Sequence, residues 1–213
     1  MAPVQNEIVW TIVVAGGSGQ RFGAPKQYEA LGSQRVIDRS LSIAVEVSDG
    51  VVVVVPAADV SREGGVAGGT TRTESVQRGL AEVPDAATII CVHDASRPFA
   101  STELYRRVID AVAAGADGAV PGVPVTDTIK QVDATGTVVT TPARASLVAV
   151  QTPQAFRASV LRRAHAGMAE ATDDATLVER AGGWVVVVVG DTDNRKITQP
   201  DDLRWARDRV AAT

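Results

Sequence analysis

The chain has 213 residues, 45% of them hydrophobic and 22% charged, a balance that suits one folded α/β domain and excludes intrinsic disorder. Its formal net charge of −4 argues against nucleic acid as a partner, because a phosphate backbone calls for a basic face, yet leaves room for a small anion held by a few placed cations. The single cysteine, Cys91, excludes an intrachain disulfide, no zinc-ligand spacing occurs, and no apolar run approaches the ~18 residues of a membrane span, so no membrane partner and a cytoplasmic location are expected.

In chain order, residues 9–14 form the first short β-branched run and predict a strand, followed directly by a glycine-rich loop over 15–27. Residues 36–47 bring Val36, Ile37, Leu41, Ala44 and Val47 to one face and predict a helix. Residues 51–55 are unbroken valine, a second strand, whereas 61–69 are short and glycine-rich, so the strand there is expected to be weak. A helix over 71–83 opens with Thr71 and Glu74 in capping-box spacing. Residues 88–92 give a third strand, with Cys91 read as a core residue, and Ser101 is placed to cap a helix over 102–113.

A fourth strand is expected at 118–121. Residues 123–152 then carry no helix signal, and 127–132 and 137–140 flank Asp133-Ala134-Thr135-Gly136, a hairpin turn. A lone two-stranded hairpin is marginal in water, so this insertion either lies on the main sheet or packs on another subunit, and the second is favoured. Helices over 157–169, 173–181 (capped by Thr172) and 200–211 (Pro200 in its first turn) surround a last strand at 184–189. Strands apolar on both faces, alternating with helices, argue an α/β fold with a doubly wound, mostly parallel sheet. The whole chain, 1–213, reads as one domain with an arm inserted at about 123–152.

Three strand ends carry chemistry. The loop A-G-G-S-G-Q-R-F-G-A-P-K-Q (15–27) follows a strand, where backbone N–H groups cradle phosphate. It is not a Walker loop, since no Gly-Lys-Ser/Thr follows, and Phe22 stands where a dinucleotide fingerprint needs its third glycine. Arg21 and Lys26 inside one short loop suit a triphosphate and its developing charge. The second strand end is His93-Asp94-Ala95-Ser96-Arg97-Pro98. Here Asp94 and Arg97 either clasp one another or meet a ligand, and His93 is read as structural before catalytic. The third is Asp193-Asn194-Arg195-Lys196-Ile197-Thr198. A cation at each end makes one shared anionic site credible. Gly69, Thr70 and Ser75 open a helix whose N-terminus either binds an anion or base or is merely capped.

Taken together and in order, these motifs, with Thr126-Asp127-Thr128-Ile129-Lys130 and Gln151-Thr152-Pro153-Gln154, resemble sugar-phosphate nucleotidyltransferases, and within them the 2-C-methyl-D-erythritol 4-phosphate cytidylyltransferases of non-mevalonate isoprenoid biosynthesis. The resemblance runs from about Val9 to the end. It implies a Rossmann-like sheet of the nucleotide-diphospho-sugar transferase type with a protruding β-hairpin arm. It also implies CTP and methylerythritol phosphate as substrates, Mg2+ as cofactor and a homodimer formed through the arm.

By the same resemblance, Arg21, Lys26, Arg144 and Lys196 are catalytic, and Ala15, Gly16, Gly17, Ser18, Gly19, Gly69, Thr70, Ser75 and Ala95 bind the nucleotide. Asp94, Arg97, Thr128 and Thr152 contact the acceptor, with Thr128 and Arg144 coming from the partner chain. The metal rests mainly on triphosphate oxygens, with Asp94 or Asp193 assisting. Two positions depart from the pattern: Thr70 stands where Asp is found, and Ser96 replaces a second Ala. Ribitol-5-phosphate cytidylyltransferase is the nearest rival; a Rossmann-type NAD(P) reductase and a non-catalytic nucleotide sensor are the remoter ones.

Overall fold

Strand β1 (Val9–Val14) lies inside the sheet because its side chains meet apolar neighbours on both faces. Ile12 joins the cluster of Val54, Leu80 and Ile90, while Val13 joins Ile37, Cys91 and Leu104. The computed structural model describes residues 7–16, 22–23, 25–167 and 170–212. After β1 come β2 (Ala30–Leu31), β3 (Gln34–Arg35), α1 (Val36–Val47), β4 (Gly50–Val55), the single turn α2 (Val60–Glu63), β5 (Val66–Ala67), α3 (Arg72–Glu82), β6 (Ile89–Asp94), α4 (Thr102–Ala113) and β7 (Gly118–Pro124). The chain continues with β8 (Gln131–Val132), β9 (Val138–Thr140), β10 (Val148–Val150), β11 (Gln154–Arg157), α5 (Ala158–His165), α6 (Asp174–Arg180), β12 (Val185–Val189) and α7 (Pro200–Ala211).

The main sheet runs β10-β7-β11-β6-β1-β4-β5, with β12 also paired to β7. Pairing is parallel from β6 through β1 and β4 to β5, and between β7 and β12. Among the described residues of this sheet, β10 and β11 alone run antiparallel. Consecutive carbonyls of β7 point to opposite edges: Pro121 O accepts from Gln151 N, and Gly122 O accepts from Gly190 N. Helices α3, α5 and α6 cover one face and α1 and α4 the other, so the doubly wound, mostly parallel α/β sheet of the sequence reading is the architecture found. Among the described residues, no helix is long and apolar enough to cross a membrane.

Local signals explain where the elements stop. Helices α1 and α7 have the boundaries expected, and Ser101 Oγ accepts from Leu104 N at the start of α4. The weak strand before Gly69 is a two-residue β5. Three readings need correction. Thr71 Oγ1 does accept from Glu74 N, but the Glu74 carboxylate turns away from Thr71 to Thr70, so the capping box is half made. Helix α6 is capped by Asp173, whose Oδ1 accepts from Thr176 N, and not by Thr172. The helix expected from 157 starts at Ala158 because residues 154–157 are taken into the sheet as β11, a strand the sequence reading missed.

The insertion is an arm that departs from the sheet after β7. Asp133 Oδ1 accepts from the N–H groups of Thr135 and Thr137 and folds the chain back between β8 and β9, with Gly136 at φ 84°. Every residue of β8, β9 and β10 is exposed.

Candidate active site

The carboxyl ends of β1, β4 and β6 are stapled together by the backbone. Ala15 N donates to Val54 O, and Ala95 N donates to Val14 O. Above them opens a cleft of about 460 Å3, in which Gly16, Lys26, Gly69, Ser75, Asp94 and Lys196 converge, along with Ala15, Thr70, Arg72 and Ala95. A second lobe of about 230 Å3 adds Arg97 and Thr152, and the two lobes share Arg72, Asp94 and Lys196. Gly17, Ser18, Gly19 and Arg21 lie outside the described residues.

Asp94 is the centre of charge. Its Oδ2 accepts from Lys196 Nζ at 2.6 Å and its Oδ1 from Arg72 Nε at 3.3 Å, so it does not form the Asp94–Arg97 clasp considered from sequence. Burial alone would push this carboxyl up; the Arg72 and Lys196 charges and the Lys196 hydrogen bond outweigh it and hold the carboxyl well below the usual range. Arg72 is held in turn by Asp174, whose Oδ2 accepts from Nη1 at 2.7 Å, and Asp174 Oδ1 meets buried His165 Nε2 at 2.9 Å. Sequence reasoning passed over Arg72, Asp174 and His165. Their partners are remote, and only the unexplained Arg in Thr70-Thr71-Arg72-Thr73 offered a cue.

His93 plays the structural part expected of it. It is fully buried, and that burial lowers its pKa to about 4, so the ring is neutral at pH 7. Its Nε2 faces the Arg97 carbonyl, an acceptor only, and so must carry the proton. Nδ1 is therefore an acceptor for Thr152 Oγ1, 3.2 Å away, and that hydroxyl in turn accepts from Asp94 N. A buried imidazole thus fixes Thr152 against the end of β6. Arg97 donates from Nη1 to Asn194 O, which ties the third strand end to the second.

Two other expected groups lie elsewhere. Asp193 is not among the residues lining the cleft; its Oδ2 accepts from Arg209 Nε and Nη2. Thr128 and Arg144 lie on the exposed arm, outside both lobes, with Arg144 Nη1 donating to Thr126 O. Among the described residues, no group of three or more His, Cys, Asp or Glu is arranged to hold a metal.

A family model for 2-C-methyl-D-erythritol 4-phosphate cytidylyltransferase (IspD) matches residues 9–211. The chain belongs to this family. It is 43% identical over 223 residues to the 2-C-methyl-D-erythritol 4-phosphate cytidylyltransferase of Nocardia farcinica, a match that covers 96% of each protein. It is also 43% identical to the bifunctional IspD/IspF enzyme of Anaeromyxobacter dehalogenans, where 96% of this chain spans 57% of the relative's length. The 4-diphosphocytidyl-2C-methyl-D-erythritol synthase structure from Anaerococcus prevotii superposes with a TM-score of 0.83 at 28% identity, covering 97% of this chain and 100% of the other. Membership makes this chain a nucleotidyltransferase and favours that reading over the reductase and sensor alternatives. In this cytidylyltransferase-family chain, the motif at 93–98 is the end of β6 and its loop, and the motif at 193–198 is the loop that delivers Lys196 to it.

Proposed function

We infer that the protein joins CTP to 2-C-methyl-D-erythritol 4-phosphate, giving 4-diphosphocytidyl-2-C-methyl-D-erythritol and pyrophosphate for isoprenoid biosynthesis. The observation that carries the reading is the shared wall Arg72–Asp94–Lys196, which stands between a larger lobe of nucleotide size and a smaller lobe bearing Arg97 and Thr152. An acceptor phosphate oxygen approaches the α-phosphorus from the smaller lobe. A new P–O bond forms, the bond to the β-phosphate oxygen breaks, and pyrophosphate leaves with the electron pair. The attacking phosphate is already ionised, so no general base is required; catalysis is positioning and charge stabilisation.

Lys196, held by Asp94, lines both lobes and would bridge the two phosphates, and Lys26 lines the nucleotide lobe; Arg21 is given the same charge-stabilising role from the loop sequence alone. The residues present suit a metal bound chiefly by the ligand: Asp94 is the one carboxylate among the described residues lining the larger lobe. Mg2+, held by triphosphate oxygens with Asp94 assisting, would neutralise charge on the leaving pyrophosphate.

The working unit we propose is a homodimer. Support comes from the arm, where Val132, Val138, Val139 and Val148 are 43–62% exposed, an apolar surface that calls for a partner. A partner's arm would bring Thr128 and Arg144 to the smaller lobe. The test is acceptor-dependent pyrophosphate release, comparing CTP with other nucleoside triphosphates and methylerythritol phosphate with ribitol phosphate. Release should require CTP and methylerythritol phosphate; preference for ribitol phosphate would overturn the substrate assignment.

A further inference from the structure

Lys26 and Lys196 reach the cleft on two segments far apart in the chain, and both segments rest on α7. Among the described residues, none of α7 lines either lobe. Its inner face is apolar: Leu203 and Ala206 pack with Ile197, next to Lys196, and with Leu31, a short way past Lys26. Trp205 extends this cluster, with the Arg195 guanidinium 4.5 Å over its ring and Phe99 edge-on at 5.4 Å.

At its flanks α7 grips each segment through an arginine. Arg209 Nε and Nη2 donate to Asp193 Oδ2 at 3.2 and 2.9 Å, where the 193–198 loop begins. Arg207 Nε donates to Ala30 O at 3.1 Å and Nη2 to Glu29 Oε2 at 3.2 Å, just past the turn Lys26–Tyr28. Neither segment has slack. Glu29 N donates back to Lys26 O, and a Cβ on Gly32, at φ 67°, would lie 2.8 Å from Val210 Cγ1 of α7. Ile197 N donates to Ser96 O, and Asp202 Oδ2 of α7 accepts from Thr198 N and Gln199 N.

We propose that α7 is a splint that sets the spacing of Lys26 and Lys196, with Arg209 the positioning residue for Lys196 and Arg207 the one for Lys26. Asp193 then serves this splint and not a metal. The proposal rests on the cytidylyltransferase reading and extends it to a helix outside the cleft. The two ammonium groups act on charge that grows as pyrophosphate leaves, so a shift of either falls on kcat. A displacement of about 1 Å can cost about 100-fold. The Arg209–Asp193 and Arg207–Glu29 pairs are 35–50% exposed, and exposed pairs add little to global stability, so positioning and folding can be read apart.

The test is steady-state pyrophosphate release by the full chain from CTP and methylerythritol phosphate with magnesium, together with the thermal midpoint of each variant. Arg209→Ala should lower kcat about tenfold, with both KM values within about twofold of wild type and the midpoint little changed. Arg209→Lys should recover most of the loss. Asp193→Ala should match Arg209→Ala, keep the wild-type magnesium dependence and add nothing in the double variant, because the two remove one contact. Arg207→Ala should lower kcat about threefold, since Glu29 N still ties the turn to Lys26. Arg204→Ala, whose ion pair with Asp201 stays within α7, is the control with wild-type kcat. Wild-type kcat in either Arg207→Ala or Arg209→Ala, an equal loss in Arg204→Ala, or a loss that tracks a fallen midpoint overturns the proposal. So does a magnesium dependence shifted by Asp193→Ala. In each of these cases an active wild type leaves the functional reading standing. A wild type that releases no pyrophosphate from this substrate pair sinks both.

Discussion

The end of β6 and the arm carry residues expected to act on the same substrate, yet they are built in opposite ways. Asp94, Thr152 and His93 are held by burial and by hydrogen bonds whose directions are fixed: Asp94 N to Thr152 Oγ1, Thr152 Oγ1 to His93, His93 to the Arg97 carbonyl. The arm has no core. Its strands are exposed throughout, and Arg144 is held within the chain by a bond to the Thr126 carbonyl. One region is fixed by burial on all sides; the other is tied to the main sheet through the pairing of β10 with β7 and is otherwise open to solvent. If the arm serves a partner chain as proposed, the difference separates residues that one chain places by itself from residues that it places for another.

The sharpest way to break this contrast is at the cleft. Lys26→Ala should lower kcat by roughly 10²–10³ if the side chain stabilises charge in the transition state, with thermal stability little changed. An unchanged kcat in steady-state assays would remove Lys26 from the reaction. The next largest effect concerns sharing between chains. Arg144→Ala and Lys196→Ala are each expected to be inactive, but mixed dimers contain one intact site in two, so equimolar exchange should recover about a quarter of wild-type activity. No recovery despite subunit exchange seen by mass spectrometry would place both residues in one chain's site.

A smaller effect is expected from Val139→Asp at the exposed arm. It should weaken association by roughly tenfold or more, because the charge loses its water on docking, while the urea midpoint of the dilute protein stays constant. Sedimentation velocity reads the first and fluorescence the second; an unchanged mass distribution would uncouple the arm from assembly.

The smallest effect lies in the core behind the cleft. His93 has its pKa lowered from 6.5 to about 4 in the folded state. The unfolded chain therefore binds the proton first, and the contribution is complete above about pH 6.5 and is lost as pH falls toward 4. Urea midpoints across this window should fall with pH, and His93→Asn should flatten that slope. Losses from Asp94 and Asp174, whose carboxyls are held low, belong to more acidic solutions.

The elements legible in the sequence were those governed by neighbours along the chain. Helix α1 was given by the spacing of Val36, Ile37 and Ala44, and α4 by the Ser101 cap. The α6 cap was misjudged because Thr172 and Asp173 are adjacent and both can accept; the carboxylate took the bond to Thr176 N. Strand β11 was missed because Gln154–Arg157 has little pattern of its own and becomes a strand by pairing with β6 and β7. In the site, Lys196, Asp94, Arg97 and Thr152 could be named because each sits in a motif of several residues. Arg72 could not, since the residues that fix it, Asp94 and Asp174, are 22 and 102 positions away.

Cys91 has a practical consequence. It is the chain's only cysteine, and it is fully buried, with burial pushing its thiol pKa up to about 12. Thiol reagents should pass it by in the native protein. A cysteine introduced at Thr128 or Val139 would then be the sole reactive handle, so a dye or spin label could be attached to the arm and its distance to a partner chain measured without first removing Cys91.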